Sequence, residues 1–217
     1  MAYTRKFTRR EYLAAWAGLC ALALIPRFLS GEDLLPSNPK ELVTAMQQGG
    51  KVLFLRHAKT NAEEIDTGEL GNRQGQRNLS TEGISQAKAI GDTFRTSNIL
   101  LSRIATSPVF RARDTAELAF AADNIEITME LVADDYAGNQ MEFMIESTRR
   151  LLNTAPPDGT NVLLIGHRTP LQMATGQNFP DSIFPEGAIA IFEPSNESTQ
   201  LLGTLTAEEF ISVVKNQ

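Results

Sequence analysis

The sequence predicts an α/β protein with a mostly parallel central sheet and helices on both faces. Three observations carry this expectation. Short apolar runs such as VLFL (52–55) and NVLLIG (161–166) are continuous rather than alternating, as strands buried on both faces require. Amphipathic stretches at helical spacing separate these runs, and parallel strands need crossovers of that kind. With 217 residues and 42% hydrophobic content, the chain can bury one core without disulfides.

Each element has a local reason. ELVTAMQQGG is a helix closed by Gly49 and Gly50, since glycine accepts a left-handed cap. The first strand covers Lys51 to Leu55. STEGISQAKAIGDTFRTSN starts at Ser80 or Thr81 as N-cap and carries Ile84, Ala87, Ala89 or Ile90, and Phe94 at roughly helical spacing. ILLSRIATSP is a second strand stopped by Pro108, VFRARDTAELAFAA a second amphipathic helix, and IEITMEL a third strand. MEFMIESTRRLLNTAP is a helix that ends before Pro156, and NVLLIGH a fourth strand. GAIAIFEP and TQLLGTLT are two later strands, and AEEFISVVK is a closing helix.

The first thirty residues differ from the rest. Arg5, Lys6, Arg9 and Arg10 precede an apolar run from Leu13 to Ile25, about 13 residues where a bilayer-spanning helix takes about 20. A cleavable signal over residues 1–30 is therefore expected rather than an uncleaved anchor, leaving 31–217 as one domain. TRREYLA resembles the bacterial twin-arginine export motif, with Arg9 and Arg10 as the pair, which implies periplasmic or otherwise exported protein. The single cysteine, Cys20, follows Leu19 rather than a small residue, so lipidation is not expected, and one cysteine makes neither a disulfide nor a metal cluster. A net charge of -6 argues against a nucleic-acid partner. The membrane is expected to meet the chain only through the signal segment during export.

Only two histidines occur, and both end apolar runs: His57 closes VLFLRH and His167 closes VLLIGH. Ligands bind outside the carboxyl ends of strands in open α/β sheets, so neighbouring parallel strands would bring both to one rim. Arg56 and Arg168 adjoin them, and Arg111 and Arg113 follow the strand ended by Pro108. Guanidinium forks match phosphate oxygens and stay charged, so this rim suits a phosphate. Arg113, two residues beyond Arg111 on a helix, should face elsewhere as a surface or ion-pair residue. The long connection KTNAEEIDTGELGNRQG (59–75) is expected to form part of the rim, with Asn72, Arg73 and Arg77 as candidate substrate contacts.

LFLRHAKT, QRNLSTEGISQAKAIG, TSPVFRARDTAELAF and NVLLIGHRTPL together resemble the histidine phosphatase superfamily, phosphoglycerate mutase-like, in the family's order. The resemblance implies a three-layer α/β/α sandwich and hydrolysis of a phosphate monoester through a phosphohistidine. It makes His57 the nucleophile, Arg56 and Arg111 the grip on the phosphoryl oxygens, and His167 a donor to their developing charge, with no cofactor and no metal. The chain departs from the pattern in Ala58, where glycine is usual, and in Arg168, where glycine often follows the histidine. It departs also in Ala133, where many members carry a proton-donating glutamate. Asp134 and Asp135 adjoin that place; Asp135, beside Tyr136, is the preferred substitute. The main alternatives are a catalytically impaired module that binds a phosphorylated ligand of the cell envelope and a phosphoglycerate mutase-type phosphotransferase.

Overall fold

A computed structural model describes residues 38–195 and 199–217. The expected export signal, its cleavage region and Cys20 lie outside the described residues. Asn38 opens the first helix, α1 (Pro39–Gln48), by accepting from the Lys40 N–H, and Pro39 stands at its first position, where a missing N–H costs nothing. The helix stops at Gly49, as expected. Its φ is 79°, and a Cβ there would lie 2.4 Å from the Gly159 carbonyl carbon, so the turn needs glycine both for its conformation and for space.

Strand β1 (Val52–Arg56) is buried along its whole length. Its side chains divide by the period of two that a pleated strand imposes. Leu53 and Leu55 join one core with α1, while Val52 and Phe54 join the other. The first core is closed by α2 (Thr81–Thr96), α3 (Phe110–Ala119) and α7 (Ala207–Lys215), through Ile90, Phe94, Ala112, Ala116 and Phe210. The opposite core packs α5 (Met141–Asn153) and α6 (Arg168–Thr175) through Leu151, Leu152 and Leu171. Two apolar faces on one sheet make the three-layer α/β/α sandwich.

The remaining strands are β2 (Leu101–Thr106), β3 (Ile125–Ile127), β4 (Asn161–Gly166), β5 (Ile189–Glu193) and β6 (Gln200–Leu205), in the sheet order β3-β2-β4-β1-β5-β6. All pairs are parallel except β1 with β5 and β5 with β6, so β5 alone runs against the others. The sheet is mostly parallel, as its continuous apolar runs predict. Among the described residues no helix is long and apolar enough to cross a membrane.

Three elements differ from expectation. Of IEITMEL only Ile125–Ile127 is strand. Thr128 then accepts from the Glu130 N–H and turns Met129–Leu131 into a 3-10 helix that buries Leu131. A one-turn helix, α4 (Asp134–Ala137), follows, and it is too short to leave a periodic signature. Helix α6 also escapes the sequence pattern because it starts directly at the fourth strand's motif. His167 is its N-cap, and Gly176 ends it in the left-handed conformation, φ 70°.

Candidate active site

The ends of two adjacent parallel strands set the site. β1 and β4 pair with Arg56 opposite Gly166, and the ladder extends one step further, with the His57 N–H donating to the Gly166 carbonyl at 3.0 Å. His57 and His167 therefore leave the sheet side by side, their ring centroids 5.4 Å apart and tilted by 52°. Gly166 leaves room for the Phe54 ring beneath them, since a Cβ there would lie 2.8 Å from Phe54 Cζ.

His57 is buried, and its Nδ1 lies 2.9 Å from the Ala58 carbonyl oxygen. That oxygen can only accept, so Nδ1 carries the proton and Nε2 keeps a lone pair. Burial, and then the positive charges of Arg111, Arg56 and Arg77, hold the imidazole well below its usual pKa, which keeps it neutral. Ala58 stands without strain where the resembled family carries glycine: among the described residues Asn98 alone has a positive φ outside glycine. The Ala58 N–H donates to Thr115 Oγ1 at 2.9 Å, and that hydroxyl donates to the Arg111 carbonyl at 2.7 Å. The backbone beside His57 is thus tied to the helix that carries Arg111.

His167 is buried too, and burial followed by Arg111, His57 and Arg56 lowers its pKa well below the usual value. Its Nε2 lies 2.8 Å from Ser107 Oγ. That hydroxyl also accepts from the Val109 N–H at 3.2 Å; when it donates its own proton to Nε2, the imidazole proton falls on Nδ1. Nδ1 is buried and has no hydrogen-bond partner. An orphaned buried donor is costly unless an acceptor arrives.

A cavity of about 160 Å³ opens over these groups, and Arg56, His57, Arg77, Arg111 and His167 line it. Its guanidinium groups have carboxylate partners. Arg111 Nη1 lies 3.0 Å from both oxygens of Asp66. Arg56 Nη1 donates to Asp181 at 2.5 Å and to the Phe184 carbonyl at 2.8 Å, and Arg168 Nη1 reaches the same Asp181 oxygen at 2.7 Å. Arg77 Nη2 lies 3.8 Å from Glu186 Oε1. Two buried imidazoles thus stand at neighbouring strand ends, one with a free nitrogen lone pair and both flanked by arginines. Residues 52–144 match the histidine phosphatase superfamily (branch 1).

Solved structures share the fold of this chain. The chain is similar to the protein histidine phosphatase SixA complexed with tungstate, at 17% identity and TM-score 0.50 over 72% of this chain and 97% of that one. It is similar to a mutant phosphoserine phosphatase from Entamoeba histolytica in complex with phosphoserine, at 12% identity and TM-score 0.51 over 73% and 98%. The product of an open reading frame of Mycobacterium tuberculosis matches at 19% identity and TM-score 0.51 over 73% and 98%. At such identities the likeness shows the fold. No curated protein sequence matches the chain.

The candidate residues Arg56, His57, Arg111 and His167 stand together in the cavity, and Arg77 and Arg168 add a third and a fourth arginine. Arg113 points away and pairs with Glu117 at 2.7 Å, as its helical offset predicts. Among the loop candidates Arg77 lines the cavity, while Arg73 pairs with Asp114 and lies over the Phe110 ring, 3.9 Å from its centroid. Asn72 is exposed. Asp134 and Asp135 both line the cavity. Asp134 is half-buried, and burial with the like charge of Asp135 raises its pKa, whereas Asp135 is exposed. Asp66 and Glu186 carry no motif and are reached only through the fold. The Asp66 carboxyl would be raised by burial, but the Tyr136 hydroxyl, the Arg77 N–H and Arg111 outweigh this and hold it below its usual range.

The buried imidazoles make stability depend on pH. In the unfolded chain they take up protons below about 6.5, whereas in the fold they do so only at lower pH. The unfolded state binds more protons in that interval, so the stabilisation is complete above about pH 6.5 and is lost as pH falls toward the folded values, by up to about 1.4 kcal/mol per unit for each histidine. Thermal midpoints measured from about pH 7 down to about pH 5 should fall, and should fall less steeply in His167→Gln. Parallel curves for the two proteins would contradict the assignment.

Proposed function

We propose that the chain is an exported phosphomonoesterase that hydrolyses a small phosphorylated substrate through a phosphohistidine on His57. The observation that carries this reading is the Nδ1–H of His57 committed to the Ala58 carbonyl, which leaves Nε2 as a nucleophile among Arg56, Arg77 and Arg111. In the first step Nε2 attacks phosphorus, the ester P–O bond breaks, and the leaving oxygen takes a proton from a carboxylic acid. In the second step water attacks phosphorus, the Nε2–P bond breaks, and the carboxylate recovers the proton. Arginine forks and the His167 Nδ1–H meet the charge on the phosphoryl oxygens. Release of inorganic phosphate from an aryl phosphate tests the reading; its absence from the folded protein would favour the impaired binding module, which the buried Ala133 in the glutamate's place supports.

Of the two acids, Asp134 fits the proton donor better than Asp135. Its raised pKa keeps a larger protonated fraction near neutrality, and half-burial sets it in the cavity wall. An alkoxide leaving group needs that proton and an aryl oxide scarcely does. Asp134→Asn should therefore slow an alkyl phosphate by about a hundredfold while slowing an aryl phosphate far less. The same selectivity in Asp135→Asn and not in Asp134→Asn would move the role to Asp135.

Export belongs to the same proposal and is supported by the twin-arginine-like segment alone. Replacing Arg9 and Arg10 by lysine should trap the precursor in the cytoplasm, because the pair is recognised by a receptor rather than as bulk charge. Normal periplasmic accumulation of that variant would count against the address.

A further inference from the structure

Glu186 is an acidic group of the cavity that has no part in the steps above. Glu186 lies in the short segment that leads into β5, and its side chain is 19% exposed. Thr60 orients it, with the hydroxyl donating to Oε1 at 2.7 Å and the N–H donating to Oε2 at 3.1 Å. The same segment is fixed to the nucleophile's strand on both sides of it. The Gly187 N–H donates to the His57 carbonyl at 2.9 Å, and the Arg56 N–H donates to the Ala188 carbonyl at 2.9 Å. Gly187 has φ 85°, and a Cβ there would lie 2.6 Å from Gln86 Cδ, so the close approach depends on glycine.

This framework aims one carboxylate oxygen at three groups. Glu186 Oε1 lies 4.0 Å from His57 Nδ1, 4.0 Å from Arg56 Nη2 and 3.8 Å from Arg77 Nη2. Among the described residues no other carboxylate comes within 4.0 Å of a His57 nitrogen. The groups that face the ring from the other elements are the guanidiniums of Arg56, Arg77 and Arg111 and the imidazole of His167, while Asp66, Asp134, Asp135 and Arg168 also line the cavity. When Nε2 donates its lone pair to phosphorus, the ring keeps the Nδ1 proton and becomes positive. Three nearby cations oppose that change.

We propose that Glu186 is a positioning residue for the nucleophile, whose carboxylate offsets the positive charge that His57 gains as the Nε2–P bond forms and the ester P–O bond breaks. The inference rests on His57 as nucleophile. It gives Glu186 a divided effect: the carboxylate favours the phosphorylated ring, yet it also neutralises part of Arg56 and Arg77 and so weakens their hold on an anion. A residue that served only the fold would change both properties in the same direction.

Glu186→Gln in the full chain separates these roles, because the amide oxygen can still accept from Thr60. Rapid-quench labelling of His57 with an aryl phosphate should slow by about tenfold or more. The inhibition constant of inorganic phosphate should stay the same or fall. The NMR titration of His57 should move to lower pH, since the ring has then lost its nearest negative charge. Glu186→Asp, which keeps the charge, should recover most of the labelling rate. Parent-like labelling in a folded Glu186→Gln protein, or phosphate binding weakened in step with the rate, would overturn the inference. If the parent protein forms no phosphohistidine, the proposed reaction fails and the titration decides alone: a downward move supports the role of Glu186, and an unmoved midpoint refutes it. Should Glu186→Gln not fold, Thr60→Val, which removes the hydroxyl that aims Oε1, is measured and judged by the same outcomes.

Discussion

His57→Ala is expected to lower phosphate release from an aryl phosphate by about a thousandfold or more, while the protein remains folded. The size of the loss follows from chemistry. Without Nε2 no covalent intermediate forms, and what remains is the stabilisation that the arginines give to direct attack by water. The retained fold follows from position, because His57 lies one residue beyond β1 and the strand's apolar contacts belong to Val52, Leu53, Phe54 and Leu55. Retention of more than about a tenth of the activity would rule out the covalent route. Circular dichroism and the thermal midpoint check the fold independently of turnover.

Arg111→Lys should cost at least about tenfold in kcat/KM, although the charge is kept. A guanidinium can hold Asp66 through Nη1 and still present its remaining N–H groups to a phosphoryl oxygen. An ammonium is a single point on a flexible stem, and Asp66 will draw it out of the cavity's base. Arg111 is also the largest charged contribution to the lowered pKa values of both His57 and His167. A lysine sitting farther from the rings should therefore raise both titrations. Kinetics and an NMR titration of the two histidines measure the two consequences separately, and unchanged kcat/KM would remove Arg111 from the phosphate grip.

Most of the sheet, and the four motif residues, were legible because they depend on local order. A strand buried on both faces must be apolar throughout, so a polar residue at its end marks the rim; VLFLRH and VLLIGH carry that signal in a few letters. β3 was overestimated because the apolar residues of IEITMEL serve two elements, an edge strand and a 3-10 turn that inserts Leu131 into the core. The parts of the site that were not legible are tertiary. Asp66 reaches Arg111 across 45 residues of chain, and Glu186 reaches Thr60 across 126. In the sequence each is an ordinary acid between a turn and a glycine. Asp134 was distinguished from Asp135 only by burial, which two adjacent aspartates do not reveal in a sequence.

The carboxylates that sit on the arginines make the cavity behave as an ion exchanger. Asp66 on Arg111 and Asp181 on Arg56 and Arg168 already satisfy these cations, so an incoming anion gains only the difference between its own contacts and those it replaces. A chloride or a monoanionic ester offers one charge and few lone pairs, which is no better than a resident carboxylate. A phosphoryl dianion can bridge several forks and also meet the unpartnered Nε of Arg56 and Nδ1 of His167. Selection among anions then comes from valence and shape rather than from bulk attraction.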